Sequence, residues 1–361
     1  MAYTTVDNPE LFFQTLIWTG DGSGTKSFTL DGSENMQPDW VWSKARDSLG
    51  SITGNHFLYD SVRGAGAEKE LSSNSTGAEG ANANAQYGYI SSFNTDGFTT
   101  TAGTSNNDYF NKSSTKYVAW NWKAGGSASS NSDGDITSSV SVNTTAGFSI
   151  VSYTGNGSAT QTIGHGLGAV PKVMIFKRRN SSSDWIVYHV SRGATKYIPL
   201  NSTSAGSAYE PYFANTEPTS SVFTVDTAGD INGSSDTFIA YLFSEIKGYS
   251  KFGIYSGNGN ADGTYIHLGF RPAWILQKNS SATQGWQLQD NKREGYNGDN
   301  DLLQPHDSAA ESGVNRIDIL SNGFKVRTTD AGQNTSGSNY IYFAFAESPF
   351  VNSNGVPNNA R

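Results

Sequence analysis

The sequence contains no cysteine, and only 16% of its 361 residues are charged. Without thiols the chain can form neither disulfide bonds nor thiolate metal sites, so its stability has to come from burial. No segment reaches the ~18 consecutive apolar residues that a membrane-spanning helix requires, and the N-terminal residues lack the basic start and apolar run of a signal peptide. The net charge of −8 at pH 7 disfavours contacts with nucleic acid phosphates. We therefore expect neither membrane insertion nor a nucleic acid partner.

The 3.6-residue apolar period of a helix is also missing from every long stretch of the chain. Instead, 40 glycines, together with Ser, Thr and Asn, separate short apolar runs. This composition is typical of short strands joined by tight turns. The sequence therefore predicts an all-β fold.

One strand-like segment occurs three times, at residues 117–122, 238–243 and 340–345. In each copy the second, fourth and sixth residues are large and apolar, and the residues between them are mostly apolar as well. Successive side chains of a strand point to opposite faces, so both faces of this segment are apolar, which predicts a buried central strand. We interpret it as the closing strand of a β domain that is present three times.

Other motifs recur in the same order around this segment. They are an aromatic residue before a Gly-Asn/Asp-Gly turn (18–22, 153–157, 255–259), a proline six residues before a lysine (38–44, 171–177, 272–278), and an arginine (Arg63, Arg192, Arg293). Ordered repetition of several motifs indicates internal duplication. A unit of about 100 residues suits a β-sandwich of the jelly-roll or lectin-like kind.

These repeats divide the chain into a series of predicted segments. Residues 124–146 are rich in Gly, Ser, Asn and Asp and nearly free of large apolar side chains, which predicts a linker. The full division is an N-terminal arm (1–14), sandwich repeat 1 (15–123), the linker (124–146), repeat 2 (147–247), repeat 3 (248–350) and a flexible tail (351–361).

Several segments resemble proteins of marine and cyanobacterial tailed phages. The resemblance rests on the MAYTT start and on residues 153–158, 164–168, 171–179, 184–189, 192–197, 248–253 and 344–350. It covers nearly the whole chain and is densest from 147 to 350. It implies a virion structural protein of the tail-fibre-like or lectin-like kind, located in the virion, and it brings no catalytic residues. The partners that it implies are other virion proteins, further copies of the chain and a host-surface glycan.

Aromatic side chains in loops are the candidate ligand-binding residues, because aromatic rings stack on sugars. Most tryptophans fall on predicted buried strands and are expected to be core. The candidates are therefore Trp18, Tyr87, Tyr89, Tyr109, Tyr209 and Tyr212. The recurring arginines are expected to bond loop carbonyls within each copy, although an arginine at that place could also reach an acidic ligand.

Catalytic and metal-binding patterns are weak in this sequence. Glu245 and Glu347 end equivalent strands, but the first copy has Lys123 there, so we interpret them as strand-end charges. The loop around Asp133 offers oxygen ligands without the glutamate that a calcium loop needs. We predict no enzyme activity, no metal and no cofactor. Three functions remain open: a tail-fibre or tail-associated adhesin, a capsid decoration or head-fibre protein, and, least favoured, a polysaccharide-degrading enzyme.

Overall fold

The computed structural model describes residues 3–293, 297–298 and 300–358, and nearly all regular structure in them is β. The predicted all-β fold is therefore confirmed. The described helices are single turns, starting with a 3-10 turn at Pro9–Leu11. The same order of strands occurs three times, and we call the repeats unit 1 (13–122), unit 2 (129–243) and unit 3 (250–349).

Unit 1 contains eight strands and two helical turns. They are β1 (Phe13–Thr19), β2 (Thr25–Phe28), β3 (Trp40–Ala45), β4 (Phe57–Asp60), β5 (Leu71–Ser72), α1 (Asn84–Tyr87), β6 (Tyr89–Phe93), β7 (Phe98–Thr101), α2 (Asp108–Asn111) and β8 (Lys116–Trp122). The main sheet has the order β1-β8-β3-β4-β5, and a small sheet has the order β2-β7-β6.

Unit 2 repeats this arrangement and adds strands at both edges. Its elements are β9 (Ser129–Asn131), β10 (Ser138–Asn143), β11 (Phe148–Thr154), β12 (Gln161–Gly164), β13 (Val173–Arg178), β14 (Ile186–His189), β15 (Lys196–Pro199), β16 (Ser207–Ala208), α3 (Glu210–Phe213), β17 (Val222–Val225), α4 (Gly229–Asn232) and β18 (Thr237–Phe243). The main sheet has the order β16-β15-β14-β13-β18-β11-β10-β9, and β12 pairs with β17.

Unit 3 has the shortest main sheet, β19-β27-β21-β22, and a small sheet with the order β20-β26-β25. Its elements are β19 (Ser250–Ser256), β20 (Tyr265–His267), β21 (Phe270–Asn279), β22 (Trp286–Asp290), β23 (Asn300–Leu302), β24 (Ser312–Val314), β25 (Ile317–Leu320), β26 (Gly323–Val326) and β27 (Asn339–Pro349).

The last strand of each unit lies at the centre of the main sheet. β8, β18 and β27 pair antiparallel with β1, β11 and β19 on one side and with β3, β13 and β21 on the other. The predicted central position of this segment is therefore confirmed. The physical reason is its pair of apolar faces, which only a doubly covered strand can bury.

In units 1 and 2 the two faces of that strand enter different cores, whereas both faces of β27 in unit 3 belong to one core. In unit 2, Phe238, Ala240 and Leu242 pack beneath the small sheet, together with Ile163 and Phe223. The alternate residues, Ile239, Tyr241 and Phe243, belong to a core that all three units share. Each main sheet is thus covered on one side by its own small sheet and on the other by its neighbours.

The shared core is dominated by aromatic rings that contact one another across the units. Trp40 of unit 1 stacks on Tyr241 of unit 2 with ring centroids 4.4 Å apart. Phe345 of unit 3 lies 5.6 Å from Trp122 and 5.3 Å from Phe243. Every pair of units is therefore in contact. Seven tryptophans that the sequence assigns to the core are buried: Trp40, Trp42, Trp120, Trp122, Trp185, Trp274 and Trp286.

Hydrogen bonds from the recurring lysines show that the units close into a ring. Lys177 Nζ donates to the carbonyl of Thr76 in unit 1, at 2.8 Å. Lys278 Nζ donates to that of Thr203 in unit 2, at 3.2 Å, and Lys44 Nζ to that of Ser308 in unit 3, at 3.2 Å. Each lysine therefore bonds the unit before its own, and unit 1 bonds unit 3.

The segment predicted to be a linker, residues 124–146, forms part of the unit 2 main sheet instead. β10 pairs with β11 along its whole length, and β9 pairs with β10. Ser141 is buried, and its hydroxyl accepts a hydrogen bond from Gly125 N–H at 3.0 Å. Composition misled the prediction because this hairpin covers a sheet edge, where Val140 and Val142 supply enough apolar surface.

Both predicted terminal segments contact the body of the protein. In the N-terminal arm, Val6 is buried in the shared core, and Phe12 packs on Tyr249 with ring centroids 6.0 Å apart. Residues 351–358 form a turn, and Ser353 N–H donates to the Asp7 carboxylate at 2.7 Å. Residues 1–2 and 359–361, which belong to the predicted arm and tail, lie outside the described residues.

Candidate functional site

Trp18, the first candidate ligand-binding residue, has a structural role. Its ring stacks on Tyr117 at 5.3 Å, and its indole N–H donates to the Phe110 carbonyl at 2.8 Å. Tyr153 and Tyr255 make the same stack and the same type of hydrogen bond in units 2 and 3. Contacts that recur in every unit indicate a role in stability. The ring face of Trp18 and its N–H donor are both engaged within the protein.

The candidates on the loops of unit 1 are largely enclosed. Tyr109 is only 4% exposed; its ring lies 4.5 Å from Phe57, and its hydroxyl donates to the Asn82 carbonyl at 3.0 Å. Burial raises the pKa of Tyr109 to about 12. Tyr87 packs edge-on against Tyr109, and Tyr89 is half-buried at the start of β6. The expectation of an exposed ring is wrong for Tyr109, because the turn of α2 directs it inward.

The candidates of unit 2 form a cluster that includes one exposed ring. We call Tyr197, Tyr209 and Tyr212 the tyrosine triad. The ring centroid of Tyr212 lies 4.6 Å from that of Tyr197 and 4.8 Å from that of Tyr209. Tyr209 precedes α3 and is 47% exposed. The sequence analysis missed Tyr197, whose signal is its alternation with the buried Ile198 along β15.

The carboxylate of Asp230 fixes the buried member of the triad, Tyr212. Tyr212 is 5% exposed, so it cannot offer its ring to a ligand as predicted. Its hydroxyl donates to Asp230 Oδ2 at 2.9 Å, and burial together with that carboxylate raises the pKa of Tyr212. Tyr212 therefore stays neutral and holds the exposed Tyr209 ring in place. An exposed ring that is fixed by packing is the kind of surface on which a sugar stacks.

A cavity of about 260 Å³ lies between units 1 and 3 and is lined by the carboxylates Glu10, Asp31 and Glu347. Each of them has a partner: Ser33 N–H donates to Glu10 at 2.7 Å, Lys292 lies 3.2 Å from Asp31, and Arg271 lies 3.3 Å from Glu347. Glu245, the strand-end equivalent of Glu347, is exposed and does not line this cavity. The structure therefore does not bring those two glutamates together.

The recurring arginines lie at the contacts between units, which we call seams and name by their units. At seam 1–2, Arg63 donates to the Leu58 carbonyl at 2.9 Å and to the carboxylate of Asp60, whose side chain is completely buried. Burial opposes the charge of Arg63, yet Asp60 holds its pKa above the usual value. Tyr241 of unit 2 donates to the same carboxylate at 2.7 Å.

Seam 3–1 repeats this pattern. Arg293 donates to Asp290 at 2.6 Å and to the Leu288 carbonyl at 3.3 Å, and Trp120 of unit 1 donates to Asp290 at 2.9 Å. The expected bond from arginine to a loop carbonyl is confirmed for Arg63, which also donates to the Lys69 carbonyl between β4 and β5. The carbonyls of Leu58 and Leu288 that Arg63 and Arg293 share as acceptors lie on strands β4 and β22 instead. Seam 2–3 differs, because His189 occupies the position of the aspartate and stacks on Phe343 at 5.3 Å.

The three seam lysines predict an unusual dependence of stability on pH. Burial lowers the pKa of Lys44 and Lys177 to about 8 and that of Lys278 to about 7, whereas an unfolded lysine keeps its proton up to about pH 10.5. Between pH 8 and 10 the unfolded chain thus binds more protons than the folded one. The free energy of unfolding should rise with pH there, by up to about 1.4 kcal/mol per pH unit for each lysine.

This rise should be lost as the pH falls towards 7, and it should show in denaturant unfolding curves recorded at several pH values. Lys278→Met should flatten the slope. Lys196→Met, which removes an exposed lysine, should leave it unchanged. A wild-type profile that is flat from pH 7 to 10 would contradict the lowered pKa values of the seam lysines.

The remaining chemistry of the described residues is limited. Among residues 3–293, 297–298 and 300–358, no group of three His, Asp or Glu side chains could hold a metal ion. In the loop around Asp133, the side-chain amide of Asn131 donates to the Asp133 carboxylate at 3.0 Å. His165 Nδ1 accepts from Leu167 N–H at 3.2 Å, a contact within its own turn. None of the helices in this part of the chain is long and apolar enough to cross a membrane.

Together, the fold and the site define an all-β protein of three repeated units with an exposed tyrosine on the second. A family model described as a domain of unknown function, DUF7483, matches residues 8–349. Because the match covers nearly the entire chain, the protein belongs to the DUF7483 family. No curated protein and no solved structure matches the chain significantly.

Proposed function

We propose that the protein is a virion structural protein, a tail fibre or tail-associated adhesin, that attaches to a host-surface glycan through the tyrosine triad. The observation that carries the binding role is the Tyr209 ring, which is 47% exposed and packed against Tyr212 and Tyr197. The virion role rests on the resemblance of the sequence to phage virion proteins. A rigid scaffold with one fixed aromatic ring is suited to recognition and needs no chemistry.

The ring of three units fits the mechanical part of this role. The shared aromatic core and the lysine bonds across all three seams join the units into a single body. Loads applied at one unit are therefore carried by contacts with both others. Such a body presents a binding loop rigidly, which lowers the entropic cost of attachment.

Glycan binding is tested by comparing Tyr209→Ala with a matched exposed tyrosine. Tyr265 of unit 3 is 43% exposed and provides the control variant Tyr265→Ala. On a glycan array and with purified host envelope polysaccharide, Tyr209→Ala should weaken binding about tenfold, the equivalent of roughly 1.4 kcal/mol for a lost stacking contact. Tyr265→Ala should bind like the wild type. Absence of wild-type binding to every glycan, or equal loss in both variants, would refute the role of the triad.

A capsid decoration protein is the second candidate, and two sheet edges favour it. Ile17 on β1 is 36% exposed and Ile254 on β19 is 43% exposed, and both strands are edges of their main sheets. In unit 2 the β9–β10 hairpin covers the equivalent strand β11. Open edges with apolar side chains are suited to pairing with another chain, whether a further copy or a shell protein. Antibody labelling of purified particles distinguishes the candidates, because a decoration protein would label heads and an adhesin would label tails.

The polysaccharide-degrading enzyme is supported only by the carboxylates of the cavity between units 1 and 3. Glycoside hydrolysis needs one carboxylic acid and one free carboxylate on opposite sides of the substrate. Here Asp31 and Glu347 are not free, because they form ion pairs with Lys292 and Arg271. Release of reducing ends from host polysaccharide, lost in Glu347→Gln, would favour this function over adhesion.

A further inference from the structure

The three seams can be compared residue by residue, because each contains a carbonyl that accepts from the buried lysine. Three residues after that carbonyl, seam 1–2 has Glu79 and seam 3–1 has Glu311. Glu79 accepts from Arg179 of the next unit at 2.6 Å, and Glu311 accepts from Arg46 at 2.8 Å. Both seams thus contain a second carboxylate beside the aspartate that binds the recurring arginine.

Seam 2–3 lacks both carboxylates. Three residues after Thr203 comes Gly206, and the aspartate is replaced by His189. Gly206 has a φ of +82°, and a Cβ there would lie 2.1 Å from the Tyr197 carbonyl oxygen, so the loop is not built to hold a side chain. The position of Arg46 and Arg179 is taken by Ser280.

Among the described residues, no carboxylate forms an ion pair with the guanidinium of Arg192 at seam 2–3. Arg192 Nε is buried and has no hydrogen-bond acceptor. Lys278 is completely buried next to it and donates to the backbone carbonyls of Thr203 and Asn279. His189 is neutral, because burial and, to a lesser extent, the charge of Arg192 lower its pKa to about 3. A buried donor without an acceptor is costly, and the other two seams show that a carboxylate is what this place accommodates.

We propose that seam 2–3 is a binding site for a carboxylate ligand, held by the guanidinium of Arg192. The ligand carboxylate lies against the guanidinium of Arg192, beside His189, which takes the place of the aspartate of seams 1–2 and 3–1. Lys278, on the adjoining strand β21, lies next to Arg192. The site uses none of the tyrosine triad's side chains and does not depend on the virion role.

Acetate tests the charge of the ligand. The thermal unfolding midpoint at pH 7 is measured in sodium acetate and in sodium chloride of equal ionic strength. A ligand that binds only the folded state raises the midpoint, and we expect a rise of a few degrees in acetate over chloride. Arg192→Met should abolish the difference, whereas Arg327→Met, which removes an exposed arginine of unit 3, should retain it.

His189→Asp provides a gain-of-function test, since it supplies the missing carboxylate from within the chain. His189 Nδ1 already accepts from Ser191 N–H at 3.1 Å, as Asp60 Oδ1 accepts from Val62 N–H at 3.1 Å. The variant should unfold at a higher midpoint in chloride and should no longer respond to acetate. Equal midpoints of the wild type in the two salts, or an acetate response that survives in both the Arg192 and the His189 variants, would overturn the proposal.

D-Glucuronate and D-glucose then identify the source of the carboxylate. A rise in the midpoint with glucuronate above that with acetate, and none with glucose, would indicate an acidic sugar. A response to acetate that exceeds the response to glucuronate would restrict the site to a smaller carboxylate. In either case the response should disappear in Arg192→Met.

Discussion

Trp40→Ala is expected to destabilise the protein by about 3–5 kcal/mol, the cost of replacing a large buried aromatic side chain with alanine. Trp40 is 2% exposed, and its ring lies 4.4 Å from Tyr241 and 4.6 Å from Trp122. These rings belong to units 2 and 1, so a cavity at Trp40 weakens the contact between them. Denaturant unfolding followed by tryptophan fluorescence and by circular dichroism measures the loss.

The same experiment tests whether the three units unfold together. Because their central strands share one core, we expect a single transition for the wild type, with coincident curves from both probes. Trp40→Phe is the matched control: it retains most of the ring and removes an indole N–H that has no hydrogen-bond partner, so it should cost much less than alanine. Three separate transitions, or equal losses for Phe and Ala, would contradict the shared core.

Asp60→Ala is the second substitution with a large expected effect, again about 3–5 kcal/mol. The side chains of Asp60 and Arg63 are both 0% exposed, and the variant leaves a buried guanidinium without its main partner. It also removes the acceptor of the Tyr241 hydroxyl from unit 2. The free energy of unfolding from denaturant curves measures the effect.

Two controls separate charge from packing at this seam. Tyr241→Phe removes only the hydroxyl and should cost about 1 kcal/mol. The double variant Asp60→Leu with Arg63→Met removes both charges and should cost less than Asp60→Ala, because no unpaired charge is left buried. A double variant that is less stable than Asp60→Ala would show that the ion pair itself contributes most of the stability.

The repeated central strand could be predicted because its apolar pattern along the sequence matches the burial that it has in the structure. Residues 238–243 alternate between two apolar faces, and a strand with two apolar faces has to be covered on both sides. The linker prediction failed for the opposite reason. β10 lies over a sheet edge and needs only Val140 and Val142 to pack, so its composition resembles that of a solvated segment.

The candidate binding residues show that a position in a loop does not predict whether a side chain is exposed. Loop position alone cannot separate Tyr209, which is 47% exposed, from Tyr212, which is 5% exposed three residues later. The turn of α3 points the two rings in different directions, and Asp230, distant in sequence, fixes the second one. Tyr197 joins them through the pairing of β15 with β16, which places it opposite Ser207, two residues before Tyr209.

The amino-acid sequence by itself determined that the protein is all-β and that its strand order is repeated three times, because alternation and turn residues act over a few neighbouring positions. Only the tertiary structure decided that the repeats close into a ring around one aromatic core. Contacts such as that of Lys44 with Ser308 join residues 264 positions apart. It also decided that one of the three seams has lost its carboxylates, since the balance of charge there depends on side chains from different units.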